Sequence, residues 1–104
     1  MSAYVIVNVD VLDEEAGLAY ARVAQKSILS HGGRYLVAGP TPEPVEGTWG
    51  SSRVVVIEFP DLERIRKWYD SPEYRQAREI REGKVRVQML FVEGAPSEGF
   101  SLPD

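Results

Sequence analysis

The chain of 104 residues has no cysteine and one histidine, His31. Without cysteine there is no disulfide, no thiolate metal site and no cysteine nucleophile. A lone histidine excludes a multi-histidine metal centre, and the acidic residues show no calcium-loop spacing, so no metal is expected. Long apolar runs are missing as well: none approaches the ~18–20 residues of a membrane span. Met1-Ser2-Ala3 leads directly into a strand-like run with no basic segment before it, so no signal peptide and a cytoplasmic location are expected. There is no G-x-G-x-x-G, phosphate loop, H-E-x-x-H or G-x-S-x-G pattern. No cofactor therefore has a visible docking motif, and none is expected.

The net charge is −4, which argues mildly against non-specific nucleic-acid binding. Charge is unevenly spread. Between Arg64 and Arg86 lie eight of the twelve basic residues and only four acids, Asp70, Glu73, Glu79 and Glu82. Mixed signs at helical spacing ordinarily make a solvated face.

Apolar periodicity organises the rest. Tyr4–Val11 alternates, with Val5, Val7, Val9 and Val11 on one face, and reads as a strand. Asp13 is a suitable N-cap for a helix running to about Ser30, with Glu14 and Glu15 in its first turn. Its inward stripe is Tyr20, Val23 with Ala24, Ser27 with Ile28, then His31, and Gly32-Gly33 ends it. Arg34–Ala38 is a short second strand. Gly39, Pro40, Pro42, Pro44, Gly47 and Gly50 then fall within twelve residues, a density that excludes helix and central strand. Arg53–Phe59 is the third strand. Asp61 caps a helix bearing Leu62, Ile65, Trp68 and Tyr69, which Ser71-Pro72 interrupts and restarts with Tyr74, Ala77 and Ile80. Val85–Val92 is the fourth strand. Residues 95–104 are small, polar and rich in Pro and Gly, and read as a flexible tail behind a domain of residues 1–94.

This order, β-α-β-β-α-β, is the ferredoxin-like split motif of the α+β class. It predicts a four-stranded antiparallel sheet with the helices on one face. The other face would carry Tyr4, Ile6, Val54, Val56, Leu90 and Val92. So large an apolar patch is unusual on a monomer, and a second copy packed sheet to sheet is the simplest cover. Asn8 and Glu58 fall on that face and read as interface groups that fix register. The same fold hosts RNA-recognition modules, but Arg-Val-Val-Val-Ile-Glu-Phe lacks their aromatic strand pattern, so nucleic acid is not an expected partner.

Three segments carry a family resemblance: His31-Gly-Gly-Arg-Tyr-Leu-Val37, the strand end Val-Val-Ile-Glu-Phe-Pro60, and Trp68-Tyr-Asp-Ser-Pro-Glu-Tyr74. Together they resemble the domain-of-unknown-function 1330 family of the dimeric α/β-barrel superfamily, from about Tyr4 to Gly94. The resemblance implies a ferredoxin-like homodimer and no assigned reaction. Superfamily relatives include cofactor-free monooxygenases and lactone isomerases, and a shared fold is weak ground for shared chemistry.

Candidates for chemistry each have a plainer reading. His31 can act as a general base near neutrality or cap the first helix. Arg53 can clamp an anion at a pocket mouth or sit at a strand end in water. Tyr20, Trp68, Tyr69 and Tyr74 can line a substrate pocket or pack the core. Trp49, in the Pro/Gly loop, can lid that pocket or meet the partner subunit. Ser71 is a cap. The expectation is a small homodimer with an apolar pocket in each subunit for a small organic acid, phenol or lactone. Its chemistry, if any, would be cofactor-independent proton transfer or oxygenation, and a non-catalytic binding or structural dimer is the alternative. His31, Arg53 and one of Tyr69 and Tyr74 are expected to share a cavity on the helical side of the sheet.

Overall fold

A computed structural model describes residues 1–50 and 53–104. Its elements run β1 (Ala3–Val11), α1 (Glu14–Ser30), β2 (Arg34–Ala38), β3 (Arg53–Phe59), α2 (Leu62–Tyr69), α3 (Pro72–Arg81) and β4 (Val85–Glu93). The strands form one antiparallel sheet in the order β2-β3-β1-β4. This is the α+β, ferredoxin-like arrangement expected from the apolar pattern, with the second helix in two pieces.

The local chemistry explains the boundaries. The Asp13 side chain accepts from the Ala16 N–H at 3.0 Å, and that of Asp61 from the Arg64 N–H at 2.7 Å. The Ser71 hydroxyl closes one helix and opens the next. It donates to the Trp68 carbonyl at 2.6 Å and accepts from the Tyr74 N–H at 3.2 Å, with Pro72 at the first helical position. At the end of α1 the Gly33 N–H reaches the Ile28 carbonyl at 2.9 Å and the Gly32 N–H the Leu29 carbonyl at 3.3 Å. That is the Schellman pairing, and it needs Gly32 at φ 85°. Gly33 is required for space: a Cβ there would lie 2.7 Å from the Phe59 ring and 2.8 Å from Ile28.

The core lies between the sheet and the three helices. Odd-numbered residues of β1 and β3 (Ala3, Val5, Val7, Ile57, Phe59) meet Ala24 and Ile28 of α1, Ile65 and Trp68 of α2, and Tyr74 and Ala77 of α3. A bulge between Tyr35 and Val37 shifts β2 by one residue, so Tyr35 and then Ala38 pair with the inward Ile57 and Val55.

The opposite face is apolar and half open. Ile6 lies between Val56 and Leu90 across the ladders, and Tyr4 beside Val92. Leu90 and Val92 are exposed there. Glu58 is not free there. It accepts from Arg34 Nε at 2.6 Å and from the Tyr4 hydroxyl at 3.3 Å, and Arg34 first among these contacts holds its carboxyl below the ordinary range. Asn8 Oδ1 is buried without a hydrogen-bond partner. Residues 95–104 contain no helix or strand. No helix among the described residues is long and apolar enough to cross a membrane.

Candidate functional site

Between α1 and the inner sheet face lies a cavity of about 340 Å³. Its floor is Val7, Val9, Val55, Ile57 and Met89, and its roof is Ala21, Ala24 and Ile28 of α1, with Trp68 at one end. The gap follows from side-chain size: where α1 crosses the sheet it presents two alanines, too short to fill the space beneath. The polar groups on the wall are the side chains of Tyr20, Gln25 and Tyr35. An apolar chamber with a few convergent polar tips is the usual make-up of a small-molecule site, at the lower end of the ~300–1,000 Å³ such sites span.

Behind the wall the aromatic residues form one connected cluster. The Trp68 ring lies 4.2 Å from that of Tyr74 and 5.5 Å from that of Phe59, centroid to centroid. Its indole N–H donates to Ser27 Oγ at 2.9 Å, and Ser27 in turn donates to the Ala24 carbonyl at 2.7 Å. The Tyr20 and Tyr74 hydroxyls are 2.8 Å apart. Burial pushes both phenols above their ordinary value, and pushes Tyr35 up to about 12. At neutral pH these are neutral hydroxyls that can donate a hydrogen bond. They cannot serve as bases.

A second depression, of about 360 Å³, shares Val9, Ala21, Ala38 and Val55 with the first and ends at Arg53 and Glu14. The two are parts of one groove along α1. A third, of about 380 Å³, is lined by Tyr69, Arg81, Val87, Met89, Leu90 and Phe91. Met89 separates it from the main chamber.

The residues picked out in the sequence are thus dispersed. Tyr20 and Trp68 line the main chamber; Tyr74 is fully buried behind Tyr20. Arg53 stands at the far end of the groove, and Tyr69 faces the third depression beneath Arg78, whose guanidinium is 4.3 Å from its ring centre. Trp49 is half exposed in its loop and lines none of these spaces.

The expected convergence of His31 and Arg53 does not occur, and His31 lines none of the three spaces. Its Nδ1 is 2.7 Å from the Ser27 carbonyl oxygen. A carbonyl only accepts, so Nδ1 carries a proton and caps the helix end. Among the described residues no three His, Asp or Glu side chains gather as a metal site would require.

Three lining residues escape the sequence reading: Gln25, Tyr35 and Met89. Tyr35 is detectable as the aromatic residue of β2, but the bulge after it obscures which way the strand faces. Arg81 escapes it too. It lies seven residues beyond Tyr74, on the same inward stripe of α3.

Among solved structures, the chain is similar to a protein of unknown function from Rhodopseudomonas palustris, with TM-score 0.76 and 18% identity over 91% of this chain and 83% of that one. A dimeric ferredoxin-like protein of unknown function from Thermobifida fusca matches at TM-score 0.62 and 13% identity, over 88% of this chain and 89% of that one. A variant of SnoaB, a cofactor-independent oxygenase from Streptomyces nogalater, matches at TM-score 0.62 and 15% identity, over 98% of each chain. At such identities the likeness extends to the fold alone. No curated protein matches the sequence. The model of one family, the domain of unknown function DUF1330, matches residues 2–95, and the chain belongs to that family.

Proposed function

We propose that the protein is a homodimer in which each subunit binds one small, largely apolar, oxygen-bearing molecule in the chamber between α1 and the sheet. The observation that carries this reading is the chamber itself: about 340 Å³ of space in a small domain, lined by aliphatic side chains and neutral hydroxyls. An apolar recess of that size with a few polar tips is the usual host of a small molecule, so occupation by a ligand is its simplest use. The dimer rests on the open apolar sheet face, where Ile6 lies between Val56 and Leu90 and where Leu90 and Val92 are exposed. The dimeric ferredoxin-like neighbours support it.

Binding comes before catalysis in this reading because the chamber wall holds no His, Asp or Glu among the described residues. A second reading, cofactor-independent oxygenation, is supported by the likeness to SnoaB. It would suit a substrate acidic enough to lose its own proton, with the tyrosines holding the resulting oxyanion and Arg53 meeting an anionic tail at the groove end. The location is proposed to be cytoplasmic and residues 95–104 to be a flexible tail.

Native mass spectrometry of the purified protein tests the reading. The expected result is a dimer retaining a small organic molecule that denaturation releases. A ligand-free monomer that also fails to take up small aromatic probes would refute it. Adding the released compound and following oxygen consumption separates the binding and oxygenase readings.

A further inference from the structure

The edge of the sheet carries a second recess whose chemistry differs from that of the chamber. On β4, alternation places Val87, Met89 and Phe91 on the inward face. β4 is the last strand in the order β2-β3-β1-β4, so no further strand among the described residues lies beyond it. Tyr69 ends α2, and the break at Asp70-Ser71 turns the chain into α3, where Arg78 and Arg81 stand three residues apart and so on one side of the helix. These pieces enclose the third depression, of about 380 Å³. The Tyr69 and Phe91 rings meet edge to face on its wall, 5.8 Å between centres, and make an aromatic corner.

Two arginines set this recess apart. The Arg78 guanidinium lies 4.3 Å from the centre of the Tyr69 ring, and that of Arg81 lies 5.7 Å from the centre of the Tyr20 ring. Nε of each is buried without a hydrogen-bond partner. Neither is therefore a long side chain loose in water. Each is laid on an aromatic ring, so little further ordering is needed when an anion arrives. No carboxylate pairs with either one. The ion pairs formed among the described residues include neither arginine. Glu79 and Glu82 line a neighbouring depression with Arg75, Arg78 and Arg81 but form no ion pair with them, and no carboxylate lines the third. Like charges at this helical spacing repel, and an anion held between them relieves that repulsion. A guanidinium presents its N–H donors in a fixed plane, and two of them match the two oxygens of a carboxylate.

We propose that the third depression binds an organic acid, its carboxylate held by Arg78 and Arg81 and its flat apolar body lying against Tyr69, Phe91 and Met89. The site is separate from the chamber and does not depend on the chamber being filled, because Met89 stands between the two. The lining selects the ligand class. A bare anion such as acetate or phosphate would meet the arginines but leave the apolar floor wet. A neutral hydrocarbon would cover the floor but leave both guanidinium groups without a counter-charge. An aryl or alicyclic acid does both at once, its ring in the aromatic corner and its carboxylate at the cations.

Three probes test the site: para-isopropylbenzoate; cumene, the same body without the carboxylate; and acetate, the carboxylate without the body. Binding to the full chain is followed by NMR, with intermolecular NOEs locating the ligand. The aryl acid is expected to give NOEs to Phe91 and Tyr69. It should bind the unmodified protein roughly tenfold more tightly than it binds Arg78→Gln or Arg81→Gln, the worth of one hydrogen bond to a charged group. Arg81→Lys should keep part of the affinity, as a point charge without the planar fork. Phe91→Glu, which sets a like charge in the aromatic corner, should weaken the acid more than Phe91→Gln does. Arg81 also packs on Tyr20, so the Phe91 pair carries the test if the Arg81 variants fail to fold. Cumene, seated in the chamber, and acetate should both fail to displace the acid when added in excess. No binding of the acid, an affinity unchanged in both Arg78→Gln and Arg81→Gln, equal affinities in Phe91→Glu and Phe91→Gln, NOEs to Val55 and Ile57 of the chamber instead, or displacement by acetate would each overturn the site. None of these outcomes weakens the reading of the chamber, which cumene binding tests separately.

Discussion

Replacing Ser27 by alanine would remove one oxygen from the junction of α1, α2 and the chamber wall. Ser27 and Trp68 are each 1% exposed, so water cannot substitute for the lost atom. Ser27 Oγ is the acceptor for the Trp68 indole N–H at 2.9 Å, and its own proton goes to the Ala24 carbonyl at 2.7 Å. The Ala24 carbonyl keeps the i→i+4 bond of the helix, but the indole N–H is left buried with nothing to donate to. An orphaned buried donor costs about 1–3 kcal/mol. Alanine returns a few tenths of a kcal/mol through its better helix propensity. The expected destabilisation is about 2 kcal/mol, or a fall in melting temperature of ~8–16 °C for a domain of this size.

Urea unfolding at fixed protein concentration measures the cost, with an unchanged m-value as the sign that only the native state was affected. Trp68→Phe supplies the control. With no indole N–H to orphan, Ser27→Ala combined with Trp68→Phe should cost no more than ~0.5 kcal/mol beyond Trp68→Phe alone, giving a coupling of about 1–2 kcal/mol in the double-mutant cycle. A cost of Ser27→Ala below ~0.5 kcal/mol in the unmodified protein, or the same cost with and without the indole, would show that the Ser27–Trp68 bond does not hold the end wall of the chamber.

Two further outcomes are expected. Ile6→Glu and Val56→Glu, which place a carboxylate in the centre of the apolar sheet face, should convert a dimer to a monomer in light scattering, because each would bury a charge without a partner; a dimer unchanged by both would remove that face from the interface. The alkaline limb of stability should be steep: Tyr35 ionises at its ordinary value of 10.0 when unfolded and at about 12 when folded, so its contribution is complete below pH 10 and lost as pH rises toward 12. Tyr35→Phe should flatten that limb in pH-dependent denaturation, and an unaltered slope would place Tyr35 in water.

The fold is legible in the sequence because its signals are local and repeated. Alternation in Tyr4–Val11, the caps at Asp13, Asp61 and Ser71, and the glycine pair after α1 each specify a boundary without reference to the rest of the chain. The site is only half legible, because it depends on which residues fail to fill space. Tyr20 and Trp68 stand out as large aromatics on inward stripes. The chamber, however, is created by Ala21 and Ala24, whose small size carries no chemical signal. His31 departs from its expected place for a different reason. A stripe continued by three residues assumes a continuing helix, whereas Gly32 turns the chain at that point and His31 spends its Nδ1 proton on the helix end. Arg53 does fall on the inward face as alternation requires, since it pairs with Val9, but it stands one groove-length from the tyrosines.

Because two alanines hold the chamber open, filling it is the sharpest check on whether α1 stands off the sheet. Ala24 is nearly fully buried and lines the cavity opposite Ile57, with Trp68 at its end. Ala24→Leu adds three carbons. If they enter existing space, each buried methylene contributes about 0.8 kcal/mol, a gain near ~2 kcal/mol before side-chain ordering is charged against it. If instead α1 rests on the sheet, the same atoms overpack the core at a cost of ~1–3 kcal/mol. The sign of the change therefore reports the presence of the cavity. Ala77→Leu calibrates the experiment: Ala77 is 0% exposed and borders none of the three spaces, so it should be destabilised by overpacking. The expected pattern is a melting temperature unchanged or raised for Ala24→Leu and lowered for Ala77→Leu, with cumene uptake lost only in the former. Stability gained at the expense of binding is the trade-off expected where a void is kept for function. Equal destabilisation of both variants would mean that the space beneath Ala24 closes in solution, and the small-molecule reading would lose its foundation.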